Sequence, residues 1–192
     1  FAAADCTGHG VPGAMVSVVC HTALDRSVRE FKLTEAGEIL DQTRSIIVSE
    51  FGKSDEEVND GMDISLGVLN KKTMELSWAG ANNPLWLIRK GQLNEYKGDK
   101  QPIGNFFNPK PFTSHKINLE KDDMLYCFSD GFQDQFGGPN GKKYKTKQLR
   151  QNLLGIVDQS MENQKSILID SLNSWMSTTE QVDDVCMIGI KV

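Results

Sequence analysis

The spacing of apolar residues changes twice along the chain, and these changes limit the folds that the chain can adopt. In residues 14–31 and 34–51 the apolar side chains recur every three or four positions, as on one face of a helix. We expect Thr34 to be the N-cap of the second helix, with Glu35 in its first turn. The predicted apolar stripes are Met15, Val18, Val19, Thr22 and Ala23 in the first helix and Ile39, Leu40, Ile46 and Ile47 in the second.

From residue 62 onward the apolar period shortens to about two, which is typical of strands. A polar loop, SDEEVNDG, precedes these strands, a loop with three prolines interrupts them at residues 98–111, and a further loop runs through GGPNGKKY. The helical period returns at residues 146–157 and 161–175. The predicted strands are residues 1–5, 62–69, 73–79, 85–89, 92–96, 112–119, 124–128 and 185–192.

This order of elements, with antiparallel hairpins and helices grouped in pairs, predicts the α+β class. Each helix pair must cover an apolar sheet face, and a sandwich of two sheets with helices outside would satisfy both pairs. No apolar run approaches the roughly 20 residues that a membrane-spanning helix needs. We therefore expect no membrane contact by this segment.

Charge and cysteine content indicate which classes of ligand and which cellular compartment suit the chain. The net charge of −5 does not favour binding to the phosphate backbone of nucleic acids, but it is compatible with cation binding. The length of 192 residues fits a single domain. The four cysteines form no C-x-x-C pair, which is typical of reduced thiols in a cytoplasmic protein.

Acidic residues stand at the ends of three predicted strands. Asp5 follows the first strand and precedes the glycine-rich turn TGHG, and Asp130 follows the apolar strand MLYCF and precedes Gly131. Asp183 and Asp184 precede the terminal strand VCMIGI. If these strands are neighbours, the carboxylates converge at one end of the sheets.

Converging carboxylates repel one another unless a cation neutralises them. Oxygen ligands without histidine or cysteine partners suit Mg²⁺ or Mn²⁺ rather than zinc. Two such ions, about 3.5–4 Å apart, can bind a phosphate group and activate a water molecule. Each motif alone has a simpler explanation, since Asp-Gly is a common turn and an acidic pair before a strand is usually solvated.

Five segments occur in an order that resembles the metal-dependent serine/threonine protein phosphatases of the 2C type. They are DCTGHGVPGAM, AGANNPLWLIR, QPIG, FSDGFQDQ and DDVCMIGI. Within that family they are most similar to the bacterial SpoIIE-like branch, which acts on phosphoserine in anti-sigma-factor antagonists and similar regulators. The resemblance covers nearly the whole chain, and D-x-x-G-H-G followed far downstream by S-D-G and a C-terminal D-D is a fairly specific combination.

The resemblance implies one SpoIIE-like phosphatase domain over residues 1–192, folded as a four-layer α/β/β/α sandwich. It also implies a further acidic metal ligand in a strand upstream of D-x-x-G-H-G, so we expect the segment that begins at Phe1 to lack its first strand or strands. A phosphorylated regulatory protein as partner, an upstream sensor or signalling domain and a homodimer are further expectations. Ala81 stands where the family usually has histidine, and Cys186 where the branch often has threonine.

The resemblance also implies roles for particular residues. Asp5, Asp130 and Asp183 would be the catalytic carboxylates, with Asp5 bridging two Mn²⁺ or Mg²⁺ ions and the backbone carbonyl of Cys6 reaching the second ion. Asp130 and Asp183 would hold the first ion, and Asp184 would be a further ligand or would contact the ligands. A metal-activated water would attack phosphorus in line, without a phosphoenzyme.

Several alternatives remain open at this point. The domain could be a catalytically weak or inactive module that binds a partner, or it could hydrolyse a small phosphate ester. His9 could cap the following helix, fill a polar pocket or act as a general acid. A basic stretch could dock an acidic partner or could simply be a solvated surface, which is the usual fate of charge runs; it contains Lys142, Lys143, Lys145, Lys147 and Arg150.

Overall fold

The structure is a computed structural model that describes residues 1–52 and 60–192. Most of the predicted loop SDEEVNDG lies outside the described residues. The helices are α1 (Gly10–Arg29), α2 (Ala36–Phe51), α3 (Gly131–Asp134), α4 (Thr146–Ile156) and α5 (Met161–Met176). The strands are β1 (Ala2–Cys6), β2 (Gly61–Asn70), β3 (Glu75–Ala81), β4 (Leu85–Arg89), β5 (Gln92–Tyr96), β6 (Ile103–Gly104), β7 (His115–Asn118), β8 (Met124–Phe128), β9 (Phe136–Gly137), β10 (Lys142–Lys143) and β11 (Met187–Lys191).

The strands form two larger antiparallel sheets, of five and four strands, and one small hairpin. The first sheet has the order β1-β2-β3-β7, with β6 paired to β2, and the second has the order β11-β8-β4-β5. Strands β9 and β10 form the separate hairpin. The predicted α+β class, with two antiparallel sheets flanked by helix pairs, is confirmed.

Three apolar clusters separate the structure into four layers. The middle cluster lies between the two sheets and includes Trp78, Leu85 and Leu125. The first outer cluster packs α1 and α2 against the first sheet. The second packs α4 and α5 against the second sheet, around the buried ring of Trp86. None of the helices in the described part of the chain is long and apolar enough to cross a membrane.

The buried face of α1 differs from the predicted stripe. The helix begins at Gly10, earlier than expected, and Met15 and Val18 are 64% and 62% exposed. Of the predicted stripe, Ala23 is the buried member. The buried residues of α1 are Gly13, Val16, Cys20, Ala23 and Ser27. These side chains are mostly small, so hydrophobicity is a poor guide to a face on which a second helix packs closely.

The N-terminus of α2 is capped from outside the helix, so the prediction of Thr34 as N-cap was wrong. Glu35 occupies the N-cap position, and its side chain makes no capping hydrogen bond. The amide of Ala36 donates instead to Ser77 Oγ of β3 at 3.0 Å, and that of Gly37 donates to Ser114 Oγ at 2.8 Å. Side chains distant in sequence therefore satisfy the first amides of this helix.

Two loop regions are more ordered than predicted, and one predicted strand is shorter. The proline-rich loop 98–111 contains β6, and the predicted strand 112–119 shortens to β7. The loop after Asp130 contains α3 and the β9–β10 hairpin. These elements are only two to four residues long, and too short to produce a periodic apolar pattern.

Candidate metal centre

The three carboxylates singled out in the sequence lie together at one edge of the sandwich. Asp5 is in β1, Asp130 lies two residues after the end of β8, and Asp183 lies in the segment that leads into β11. One carboxylate oxygen from each lies within 4.8 Å of the other two. Because β1 belongs to the first sheet and the other two strands to the second, the cluster spans both sheets.

The pairing of β8 with β11 brings Asp130 and Asp183 to the same edge. Phe128, the last residue of β8, is paired with Met187, the first residue of β11. Ser129 fastens the adjoining segments, since its Oγ donates to the Asp184 carbonyl at 3.0 Å and accepts from the Cys186 amide at 3.0 Å. The two acidic segments are thus held side by side by backbone and hydroxyl hydrogen bonds.

Gly131 allows the closest approach in this region. A Cβ atom at this position would lie 2.3 Å from the backbone oxygen of Asp184. Any other residue would force the start of α3 away from the segment that carries Asp183. The glycine of the S-D-G motif is therefore required by packing next to the cluster.

The first sheet contributes Asp5 because side chains alternate along β1. Ala3 lies in the cluster between the sheets, and Asp5, two residues on, points the same way. Cys6 points to the opposite side, where its thiol interacts with Cys20 and Ser17 of α1. The Cys6 side chain therefore does not face the carboxylates, and its backbone carbonyl is the atom left for the predicted metal role.

The carboxylates border an open cavity of about 820 Å³. His9, at the N-cap of α1, lines this cavity and makes no side-chain capping hydrogen bond, so capping by its side chain, one of the roles left open by the sequence, is not observed. Asp184 also lines it, but lies outside the group of three close carboxylates. The described residues that line the cavity include no lysine and no arginine.

The electrostatics of the cavity favour a bound cation. Burial, together with the smaller effects of the charges of Asp183 and Asp130, raises the pKa of Asp5 to about 6. Burial, followed by the charge of Asp183, also raises the pKa of Asp130. Negative charge is therefore concentrated among these three carboxylates, no lysine or arginine lines the described cavity beside them, and a cation would relieve the repulsion.

The donor atoms fit Mn²⁺ or Mg²⁺. The close group offers carboxylate oxygens alone, and hard divalent ions prefer such ligands. Two of the three carboxylates, those of Asp130 and Asp183, are exposed to solvent, and Asp5 is half-buried. An ion held by these carboxylates would therefore have room for bound water.

One acidic residue of the cavity was missed in the sequence. Asp63 in β2 lines the cavity and is paired with Asp5 across the two strands. Burial raises its pKa, whereas a hydrogen bond from Asn82 and the charge of Lys100 act in the opposite direction. An aspartate inside an otherwise apolar strand, in GMDISLGV, was the available signal.

The basic stretch is partly neutralised within the domain. Lys143 Nζ lies 2.7 Å from Asp134 Oδ2. Arg150 Nη2 lies 3.3 Å from Glu95 Oε2, and the guanidinium stands 5.3 Å from the ring centre of Trp86. These contacts favour a solvated surface over a docking site.

Comparison with known proteins places these features in a family. The family model described as Stage II sporulation protein E (SpoIIE) matches residues 1–192. No curated protein sequence matches the chain.

Three solved structures share the fold at low sequence identity. The SiaA-PP2C domain of Pseudomonas aeruginosa is 24% identical, with a TM-score of 0.90 over 100% of this chain and 74% of that one. The PP2C phosphatase domain of SpoIIE from Bacillus subtilis, solved with a fragment of its regulatory domain, is 18% identical, with a TM-score of 0.74 over 100% of this chain and 54% of that one. The RsbU and RsbW domains of a Mycobacterium tuberculosis protein are 18% identical, with a TM-score of 0.72 over 99% of this chain and 50% of that one. The chain thus spans about half the length of the second and third structures.

Proposed function

Because this chain belongs to the SpoIIE family of PP2C-type phosphatase domains, we propose that it hydrolyses phosphoserine or phosphothreonine in a regulatory protein. An anti-sigma-factor antagonist is the kind of substrate that the family suggests. The observation that carries the proposal is the group formed by Asp5, Asp130 and Asp183 within 4.8 Å at the floor of an open cavity.

Two Mn²⁺ or Mg²⁺ ions would be held by Asp5, the Cys6 carbonyl, Asp130 and Asp183, with Asp184 beside them. When bound, the ions supply an activated water and offset the charge of the phosphoryl group. The cavity walls lack lysine and arginine among the described residues, so no permanently cationic side chain lines the cavity for a phosphate. Activity should therefore depend strictly on a divalent cation.

The protein's own groups contribute position and proton transfer. Ser129 and Gly131 fix the relative placement of the segments that carry Asp130 and Asp183. His9 stands at the cavity wall with its ring free of a capping contact. Histidine is suited to proton transfer near neutral pH, so we assign His9 as the candidate donor to the departing serine or threonine oxygen.

A further strand upstream of Phe1 belongs to the same proposal. Strand β1 pairs with β2 along one edge, and its other edge has no partner strand among the described residues. A strand added there would lie next to Asp5, and could supply the additional acidic ligand that the family pattern implies. The domain of residues 1–192 would then be completed by residues that precede it.

The test is phosphate release from a phosphoserine peptide by this chain, with Mn²⁺ and with a chelator. We expect turnover only with Mn²⁺, and its loss in Asp5→Asn and Asp130→Asn, because each variant removes a ligand charge. Asp158→Asn is the matched control, since it removes the same charge at an exposed position away from the cavity. Circular dichroism would show that all variants fold.

The other functions make different predictions in the same assay. A binding module would show no turnover even when the chain is extended upstream of Phe1. A small-ester hydrolase would turn over free nucleotides faster than phosphopeptides. Retained activity in Asp130→Asn would refute the assigned site.

A further inference from the structure

Asp63 lies directly opposite Asp5 in the first sheet. The antiparallel register of β1 and β2 pairs Asp5 with Asp63 and Ala3 with Ser65. Directly opposite residues of an antiparallel pair project from the same face, with Cβ atoms about 4.5–5.5 Å apart. Asp63 therefore projects from the same face of the sheet as Asp5, toward the second sheet, and it lines the same cavity.

A hydrogen bond from Asn82 fixes the orientation of the Asp63 carboxylate. Asn82 Nδ2 donates a hydrogen bond of 2.8 Å to Asp63 Oδ1. Asn82 itself adopts a left-handed backbone conformation, with φ of 58°, and its amide donates to the carbonyl of Asp99 at 2.9 Å. The Asp99 amide returns a hydrogen bond of 2.8 Å to Gly80, so Asn82 is held by a closed backbone turn.

The second oxygen of Asp63 has no protein partner. Across residues 1–52 and 60–192, the hydrogen bond from Asn82 is the one that the Asp63 side chain receives. Lys100 acts on the Asp63 carboxylate through its charge and lowers its pKa, but forms no salt bridge with it. A half-buried carboxylate with a free oxygen is costly unless a cation or water offsets its charge. Asp63 is not a member of the close group formed by Asp5, Asp130 and Asp183. It can therefore act beside an ion that those three carboxylates share without binding that ion directly.

We propose that Asp63 is a further anionic residue of the metal centre, oriented by Asn82, which strengthens divalent-cation binding beside Asp5. The inference rests on the metal centre of the proposed function and adds to it a residue on β2. Asp63 supplies its charge and can accept a hydrogen bond from water bound at the centre. Groups that hold ligands or bound water in this way typically change metal affinity by about 10–100-fold.

The experiment is a calorimetric titration of this chain with Mn²⁺, without substrate. We expect Asp63→Asn to bind Mn²⁺ about 10-fold more weakly or worse, and Asp158→Asn to bind like the wild type. Asn82→Ala should show a smaller loss, because the carboxylate remains but is no longer oriented. Wild-type affinity in Asp63→Asn would overturn the inference.

Thermal unfolding separates a metal role from a structural one. In chelator, Asp63→Asn should unfold at the same temperature as the wild type or higher, since removing a charge lessens repulsion with Asp5. In Mn²⁺ its gain in melting temperature should be smaller than that of the wild type. A lower melting temperature in chelator, with an undiminished gain in Mn²⁺, would make Asp63 structural and overturn the inference.

Asp5→Asn in the same titration distinguishes the two levels of proposal. If Asp5→Asn loses Mn²⁺ binding while Asp63→Asn keeps it, the metal centre stands and the role of Asp63 fails. If both variants bind like the wild type, the metal centre itself is refuted, and the role of Asp63 with it.

Discussion

The Asp5 carboxyl group connects the candidate metal centre to the stability of the metal-free domain. Burial raises its pKa from 3.8 to about 6, with smaller contributions from Asp183 and Asp130. In the unfolded chain the pKa returns to its ordinary value, so between these two values the folded form binds more protons than the unfolded form. The stability of the metal-free domain must therefore fall as the pH rises through that window.

We expect this loss to be on the order of 1 kcal/mol, after a discount for the exposure of Asp5 to solvent. Denaturant unfolding in chelator at pH 4.5 and pH 7 would measure it for the wild type and for Asp5→Asn. The variant has no carboxyl group at this position, and its stability should decline less over the same interval. An equal decline in both proteins would assign the pH dependence to other groups.

Three of the four aspartates discussed at the candidate metal centre could be identified from the sequence, and the fourth, Asp63, could not. Asp5, Asp130 and Asp183 stand in recognisable motifs at strand ends, and the structure brings them together. Asp63 has no such motif, because its place in the cavity depends on the register between β1 and β2. Register is a property of two paired segments, and a pattern within one segment does not reveal it.

At the level of elements, the start of α2 offers a test of capping from a distance. The Gly37 amide donates to Ser114 Oγ at 2.8 Å, while the exposed Thr34 side chain has no hydrogen bond in the described structure. We expect Ser114→Ala to lower the free energy of unfolding by about 1 kcal/mol, the usual cost of a lost N-cap. Denaturant unfolding would measure this loss.

Thr34→Ala is the matched control for that measurement, because it removes a hydroxyl group three residues before Gly37 that accepts no hydrogen bond from the helix. Its free energy of unfolding should stay close to that of the wild type. A larger loss in Thr34→Ala than in Ser114→Ala would restore Thr34 as the N-cap and contradict the observed geometry.

The helices show why element boundaries and faces were predicted with unequal success. α2 buries Ile39, Leu40 and Ile47, as its apolar spacing indicates. α1 buries small residues instead, and Ser27 Oγ accepts a hydrogen bond from Thr43 Oγ1 of α2 at 3.0 Å. A helix face chosen for close approach to another helix carries little hydrophobic signal, so the larger side chains Met15 and Val18 misled the prediction.

Across the whole molecule, a bound cation would join the two sheets. Asp5 belongs to the first sheet, whereas Asp130 and Asp183 belong to segments of the second. Because the unfolded chain cannot preserve this arrangement, Mn²⁺ should stabilise the domain, by about 2.7 kcal/mol at 100 times its dissociation constant. Thermal unfolding with increasing Mn²⁺ would measure the gain.

Asp130→Asn should lose most of this gain while Asp158→Asn keeps it. Mg²⁺ should act in the same direction as Mn²⁺, since both ions prefer oxygen ligands. A domain whose melting temperature ignores both ions would contradict a cation at the junction of the sheets.

The layered architecture followed from the sequence more directly than its details. The order of helix pairs and antiparallel hairpins left few ways to bury every apolar face, and the three clusters match that solution. The short strands β6, β9 and β10 did not follow, because two-residue strands are specified by tertiary pairing rather than by local pattern.

Two tryptophans in different layers provide intrinsic fluorescence probes of how the domain unfolds. Trp78 lies between the two sheets, and Trp86 lies between the second sheet and its helices; both side chains are fully buried. Their indole nitrogens donate to different partners, Ser65 Oγ at 2.9 Å and Glu95 Oε1 at 3.2 Å. In variants whose sole tryptophan is Trp78 or Trp86, with Trp175 also replaced, the fluorescence emission wavelength would therefore report the opening of a single interface, and the two variants together would show the order in which the layers separate.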